Sequence, residues 1–146
     1  IRVLSTVTVT SLLLLSNHTD ENIRISVVLS NGYRAYVKIV VGKSYEKIVK
    51  DESKDVLIMY YAPWCGHCKK LKPTWSQLAK DQAKNPDMVI AKMDWTENEA
   101  DGVAIKSFPT IFYYPKGNKA GVKYEGGRAL EDFQKYLEPK AKHDEL

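Results

Sequence analysis

An unbroken apolar run, Val56 to Tyr61, leads through Ala62-Pro63-Trp64 directly into Cys65-Gly66-His67-Cys68. No other feature constrains the fold as much. A short apolar run without alternation is the pattern of a strand covered on both faces, and such strands lie at the centre of α/β sheets. Beyond Cys68 the apolar residues recur at helical spacing, at Leu71, Trp75, Leu78 and Ala79, so the strand feeds a helix expected to run to about residue 84. Pro73 falls inside that helix, where it removes one backbone donor and is expected to kink the helix without ending it. The two cysteines are thereby delivered to the first turn of a helix at the end of a buried strand.

The flanking sequence supplies the other layers. Residues 37–41 read as a strand closed by Gly42, and Ser44 as the cap of a short helix carrying Tyr45, Ile48 and Val49. Residues 88–93 read as a third strand, 100–105 as a short helix, 111–114 as a strand and 121–125 as an edge strand after a turn at Gly117. Residues 129–137 read as an amphipathic final helix. Strands interleaved with helices predict an α/β fold with a mixed central sheet flanked by helices. A chain of 146 residues suits one such domain. Residues 1–36 form an additional β-prone segment, alternating at Val3, Ser5, Val7 and Val9. It has an Asn31-Gly32 hairpin signal between two β-prone runs, and an Asn17-His18-Thr19 glycosylation pattern of a kind common by chance. Its Leu12–Leu15 run reads either as a buried strand or as a remnant of a signal peptide.

Composition serves mainly to exclude. The hydrophobic and charged shares, 44% and 27%, are those of a globular protein rather than a disordered one. Net charge is +4, with the lysines scattered and no basic block, which argues against a nucleic-acid partner. No apolar run approaches the roughly 18 residues needed for a membrane span. The only two cysteines, Cys65 and Cys68, close too short a loop to staple a fold. Structural zinc wants four ligands, whereas the remaining histidines, His18 and His143, lie near opposite ends of the chain. No metal and no organic cofactor are expected. The pair is left with redox chemistry.

Residues three apart on a helix share a face, with Cβ atoms about 5–6 Å apart, close enough for a disulfide after a small adjustment. Cys65 at the helix N-terminus meets unpaired N–H groups and the positive end of the helix dipole, both of which favour thiolate. A protonated His67 would favour it further. Since thiolate is the attacking species in disulfide exchange, Cys65 is expected to be the nucleophile and Cys68 the resolving thiol.

With these residues in view, Tyr61-Ala62-Pro63-Trp64-Cys65-Gly66-His67-Cys68-Lys69 resembles the active-site segment of the protein disulfide isomerase family. Ser107-Phe108-Pro109-Thr110 and Tyr124-Glu125-Gly126-Gly127-Arg128 resemble later family motifs in the same order, as do Asp55–Leu57 and Ala91–Asp94. The resemblance covers about residues 37–139 and is nearest in kind to the last catalytic domain of a multidomain enzyme. It implies a thioredoxin-like fold for residues 37–139 and a C-terminal tail over 140–146. Residues 1–36 do not resemble the domain and acidic linker that would precede such a domain in the family, so they are read as foreign to it or as a fragment of a preceding domain.

The resemblance implies further roles. Cys65 and Cys68 would form the redox-active disulfide, with Gly66 and His67 between them and Arg128 assisting ionisation of the second thiol. Trp64, Pro109 and Thr110 would meet substrate, Pro109 through a cis peptide bond. Where many relatives carry a glutamate that moves protons for the second cysteine, this chain has Met59, which leaves Lys92 without its usual counter-charge. His143-Asp144-Glu145-Leu146 reads as an endoplasmic reticulum retrieval signal. The expectation is therefore an enzyme of the reticulum lumen that forms, reduces and rearranges disulfides. Its partners would be unfolded or misfolded secretory proteins, glutathione and a thiol oxidase of the reticulum. The alternatives are a chaperone-like binding module without turnover and a cytosolic reductant, and the retrieval signal disfavours the latter.

Overall fold

A computed structural model describes residues 36–141. The 1–36 readings, including Leu12–Leu15, Asn17 and the Asn31-Gly32 hairpin, fall outside the described residues except at residue 36, and so does the retrieval signal. Five strands and three helices follow one another as β1 (Lys38–Ile39), α1 (Tyr45–Val49), β2 (Asp55–Tyr61), α2 (Gly66–Gln82), β3 (Met88–Asp94), β4 (Thr110–Tyr114), β5 (Val122–Lys123) and α3 (Leu130–Ala141). A 3-10 turn, Gly42–Ser44, precedes α1. The sheet order is β1-β3-β2-β4-β5. Strands β1, β3 and β2 are parallel, and β4 and β5 are added antiparallel, so the sheet is mixed as expected.

Central β2 explains its own composition. Leu57 and Met59 point into a core shared with Leu71, Trp75 and Leu78 of α2 and with Phe133 and Leu137 of α3. Val56, Ile58 and Tyr60 point into the opposite core, shared with Tyr45 and Val49 of α1 and with Val40, Met93 and Tyr114. Neither face meets water, so an alternating pattern would have left polar groups buried and unpaired. Trp75 fixes α2 on the sheet by donating from its indole nitrogen to the Ala91 carbonyl at 2.9 Å. In the opposite core the hydroxyls of Tyr45, Tyr60 and Tyr114 form a closed triangle with sides of 3.0–3.3 Å, and among the described residues each is satisfied by the other two.

Several expectations need correcting. Residues 100–105 form no helix. Gly102 adopts φ +74°, and the segment makes a single turn, Val103 N–H to the Ala100 carbonyl at 3.2 Å. Its apolar residues Ala100, Val103 and Ile105 do pack against the core, and this produced the helix-like spacing. The edge strands are shorter than read: β1 and β5 have two residues each. Ser44 stands at the N-cap of α1, but its hydroxyl turns back to the Val41 N–H and carbonyl rather than to the helix. Helix α2 ends at Gln82, and α3 starts at Leu130 and runs past Pro139. Pro73 lies inside an uninterrupted α2, as the periodicity required.

Candidate active site

Strand β2 ends at the centre of the sheet, and the chain turns through Ala62, Pro63 and Trp64 before α2 begins. The turn is closed by the Cys65 N–H, which donates to the Ala62 carbonyl at 3.1 Å. Cys65 is itself the N-cap of α2, with extended backbone (φ −76°, ψ 116°), so its sulfur lies over the open end of the helix. There it accepts the Cys68 N–H at 3.3 Å. This is the capping role a serine or aspartate would usually play, performed by a group that must carry negative charge to do it well.

Both cysteines are free thiols, 7% and 5% exposed respectively, but their electrostatic surroundings differ. The Cys65 thiol is held below the ordinary thiol range. The largest cause is the hydrogen bond from the Cys68 thiol, followed by the backbone N–H groups of Cys68 and His67 and the positive charge of Arg128. The Cys68 thiol is pushed up to about 11, chiefly because burial strips water from its thiolate, and because it serves as donor to Cys65. The two effects reinforce one another: one sulfur is favoured as thiolate and the other as thiol.

Other parts of the chain complete the site. The Phe108–Pro109 bond is cis, as expected, and Pro109 is buried. The Cys65 thiol donates to the Phe108 carbonyl at 3.6 Å. Thr110 pairs with Tyr60 in the sheet register, which brings the Ser107–Thr110 segment alongside the end of β2, and its hydroxyl donates to the Ser107 carbonyl at 2.7 Å. Trp64 is 71% exposed and stands edge-on to Phe108 at 5.9 Å, so it forms an apolar surface beside the thiols rather than a cover over them.

Arg128 is exposed, yet its charge favours thiolate at both cysteines. The glycines before it have a packing reason. A Cβ on Gly126 would strike the Tyr124 ring, and one on Gly127 would strike the Asp132 carboxylate. Tyr124 folds over this stretch and donates to the Gly127 carbonyl at 2.7 Å, while Asp132 accepts the Ala129 N–H at 3.1 Å. A side chain at Gly66 would meet open space, so that glycine is not demanded by packing.

Met59 and Lys92 are direct partners in the β2–β3 register. Both line a cavity of about 300 Å³ that Cys68 also walls, and among the described residues no acidic one lines it. Met59 is buried; the Lys92 ammonium sits 5.6 Å from the centre of the Tyr61 ring. His67 is exposed and acts on Cys65 through its backbone N–H rather than through a ring contact. The Phe108 carbonyl and the Ala62 backbone, which bonds to the Cys68 sulfur, were not singled out from the sequence. Among the described residues no cluster of three or more His, Cys, Asp or Glu is placed to hold a metal ion.

A thiol pair of opposed acidity thus heads a helix that leaves the centre of a mixed sheet. Residues 36–139 match the family described as Thioredoxin, and the chain belongs to that family. It is 46% identical over 106 residues to protein disulfide-isomerase of Oryctolagus cuniculus, covering 72% of this chain and 21% of that one. To protein disulfide-isomerase of Gallus gallus it is 48% identical over 103 residues, covering 70% and 20%. To protein disulfide-isomerase A3 of Gallus gallus it is 49% identical over 107 residues, covering 72% and 21%. The chain thus spans about a fifth of the length of these relatives. Among solved structures, the first thioredoxin domain of mouse protein disulfide-isomerase A4 superposes with TM-score 0.62 at 29% identity, covering 76% of this chain and 79% of that one.

Proposed function

We propose that this chain catalyses thiol–disulfide exchange in proteins, forming, reducing and rearranging disulfides of folding secretory chains. The observation that carries the proposal is the opposed acidity of the two thiols: Cys65 favoured as thiolate at the helix cap, Cys68 protonated beneath it. The Cys65 thiolate attacks one sulfur of a client disulfide, forming a mixed disulfide and releasing the other client sulfur as thiolate, which takes a proton from solvent. The client then either rearranges, expelling Cys65 by attack of its own thiol, or is released when Cys68 loses its proton and attacks Cys65. That second path leaves a Cys65–Cys68 disulfide and a reduced client. Running the sequence backwards donates the disulfide. Residues 37–139 are the catalytic unit in this reading, with Trp64, Phe108, Pro109 and Thr110 as the surface a client meets. Glutathione and a thiol oxidase are the proposed electron exchangers. The proposed compartment is the lumen of the endoplasmic reticulum, supported by the His143–Leu146 signal when it stands at a free carboxyl end.

The test is reactivation of scrambled ribonuclease. The parent chain is expected to restore activity and Cys65→Ser to abolish it, because the remaining thiol, Cys68, is buried and held largely protonated. Cys68→Ser is expected to accumulate mixed disulfides, visible on non-reducing gels after acid quench. Equal trapping by both variants overturns the assigned roles. A module that only holds unfolded chains would suppress aggregation equally well with Cys65→Ser and would reactivate nothing.

A further inference from the structure

The cavity of about 300 Å³ behind the thiols combines features that the exchange reaction does not use. Met59, Ala62 and Pro63 give it an apolar floor, Cys68 forms one wall, and three cations, Lys69, Lys72 and Lys92, surround it. Lys72 lies one helical turn beyond Cys68 on α2, and Lys92 comes from β3 across the sheet, so the fold draws together two ammonium groups from separate elements. Lys92 is half-buried, and both its loss of water and the neighbouring Lys72 charge pull its pKa down. Among the described residues no aspartate or glutamate lines the space. An anion entering it would relieve that repulsion. The apolar floor selects among anions: a hydrocarbon tail gains from covering Met59 and Pro63, whereas phosphate or sulfate has nothing to place there.

We infer that this cavity binds small aliphatic monocarboxylates, with the carboxylate between Lys72 and Lys92 and the tail over Met59 and Pro63, and that occupancy slows the reactions of Cys68 while leaving those of Cys65 unchanged. The sign of the second part follows from position. Cys68 forms part of the wall and Cys65 does not. A negative charge beside a thiol opposes its ionisation, and each unit rise in thiol pKa removes about nine-tenths of the thiolate at a pH below it. In the exchange reaction, on whose thiol roles this consequence rests, an occupied cavity prolongs the mixed disulfide without hindering its formation.

The experiment titrates sodium butyrate into the reduced protein carrying methyl-labelled methionine, with sodium chloride and n-butanol as matched controls. The Met59 methyl resonance is expected to shift saturably with butyrate and with neither control. The double variant Lys72→Gln/Lys92→Gln is expected to weaken the apparent affinity by at least about tenfold. In the Cys65→Ser background, Met59→Glu, which places a carboxylate of its own in the space, is expected to abolish the effect of butyrate on iodoacetamide alkylation of Cys68, and the lysine variant keeps the test decisive if that protein fails to fold. Alkylation by iodoacetamide supplies the second readout. In Cys65→Ser, reaction at Cys68 slows with the same butyrate midpoint; in Cys68→Ser, reaction at Cys65 keeps its rate. A shift linear in concentration, an equal shift with chloride, an unaltered affinity in the lysine variant, or equal slowing at both thiols overturns the inference. Neither readout requires turnover, so failure of the exchange reading appears separately, in the ribonuclease assay without butyrate.

Discussion

Cys65 and Cys68 stand one helical turn apart, yet their surroundings push their acidities in opposite directions. Burial alone would raise both. Cys65 escapes because its sulfur is the cap of α2 and collects hydrogen bonds from the Cys68 thiol and from backbone N–H groups, while Cys68 has the cost of burial as its leading influence. Arg128 acts on both from the surface. Replacing it by glutamine, Arg128→Gln, should raise the Cys65 pKa, so the rise of attack rate with pH moves to higher pH. Because the guanidinium is exposed, the displacement should be a fraction of a pH unit and should vanish as salt is added. Ultraviolet absorbance of the thiolate, followed against pH in a Cys68→Ser background, measures it. A displacement that persists at molar salt would mean that Arg128 acts through structure instead.

Strand β2 carries the site at its end and separates two cores with alternate side chains, so a substitution within it affects chemistry and stability together. Met59→Glu is the informative case. The carboxyl would stand beside Lys92 and on the cavity that Cys68 walls, half compensated and half desolvated. Unlike butyrate held ionised between Lys72 and Lys92, a carboxyl rooted in the buried strand should have its pKa raised towards the range useful for proton transfer. It can then take the Cys68 proton, so reoxidation of the reduced protein by glutathione disulfide should quicken with a changed pH profile. Stability should fall by about 1–3 kcal/mol, read from chemical denaturation. Superimposable pH profiles of variant and parent would show that a group at position 59 does not reach Cys68. The elements themselves were legible to different degrees. Strand β2 and helix α2 could be read because their periodicities are long and local. The 100–105 segment was misread because Gly102 breaks a helix that the spacing of Ala100, Val103 and Ile105 imitates. The thiol pair was legible for the same local reason as α2. The Phe108 carbonyl was not, since its hydrogen bond with Cys65 spans 43 residues and involves a backbone atom that no side-chain pattern marks.

At the scale of the molecule, the tyrosine triangle ties α1 to β2 and β4 with three hydroxyls that, among the described residues, pair with one another. Removing one leaves the other two a single shared hydrogen bond, and removing two leaves one hydroxyl buried alone. Removing all three leaves none unpaired. Stability losses from Tyr45→Phe, Tyr60→Phe and Tyr114→Phe, each about 1–2 kcal/mol, should therefore sum to more than the loss in the triple variant. Denaturant midpoints across the full set of combinations provide the check, and simple additivity would refute the closed triangle. The depth of Cys68 has a consequence of another kind, in time. A thiol with a pKa of about 11 is ionised in roughly one molecule in ten thousand at neutral pH. In the proposed reaction its main cause, burial, persists while a client is attached. The buried sulfur therefore works as a slow timer. A client captured by Cys65 is granted an interval in which its own thiols compete for the bond, and only when that interval runs out is it sent away reduced.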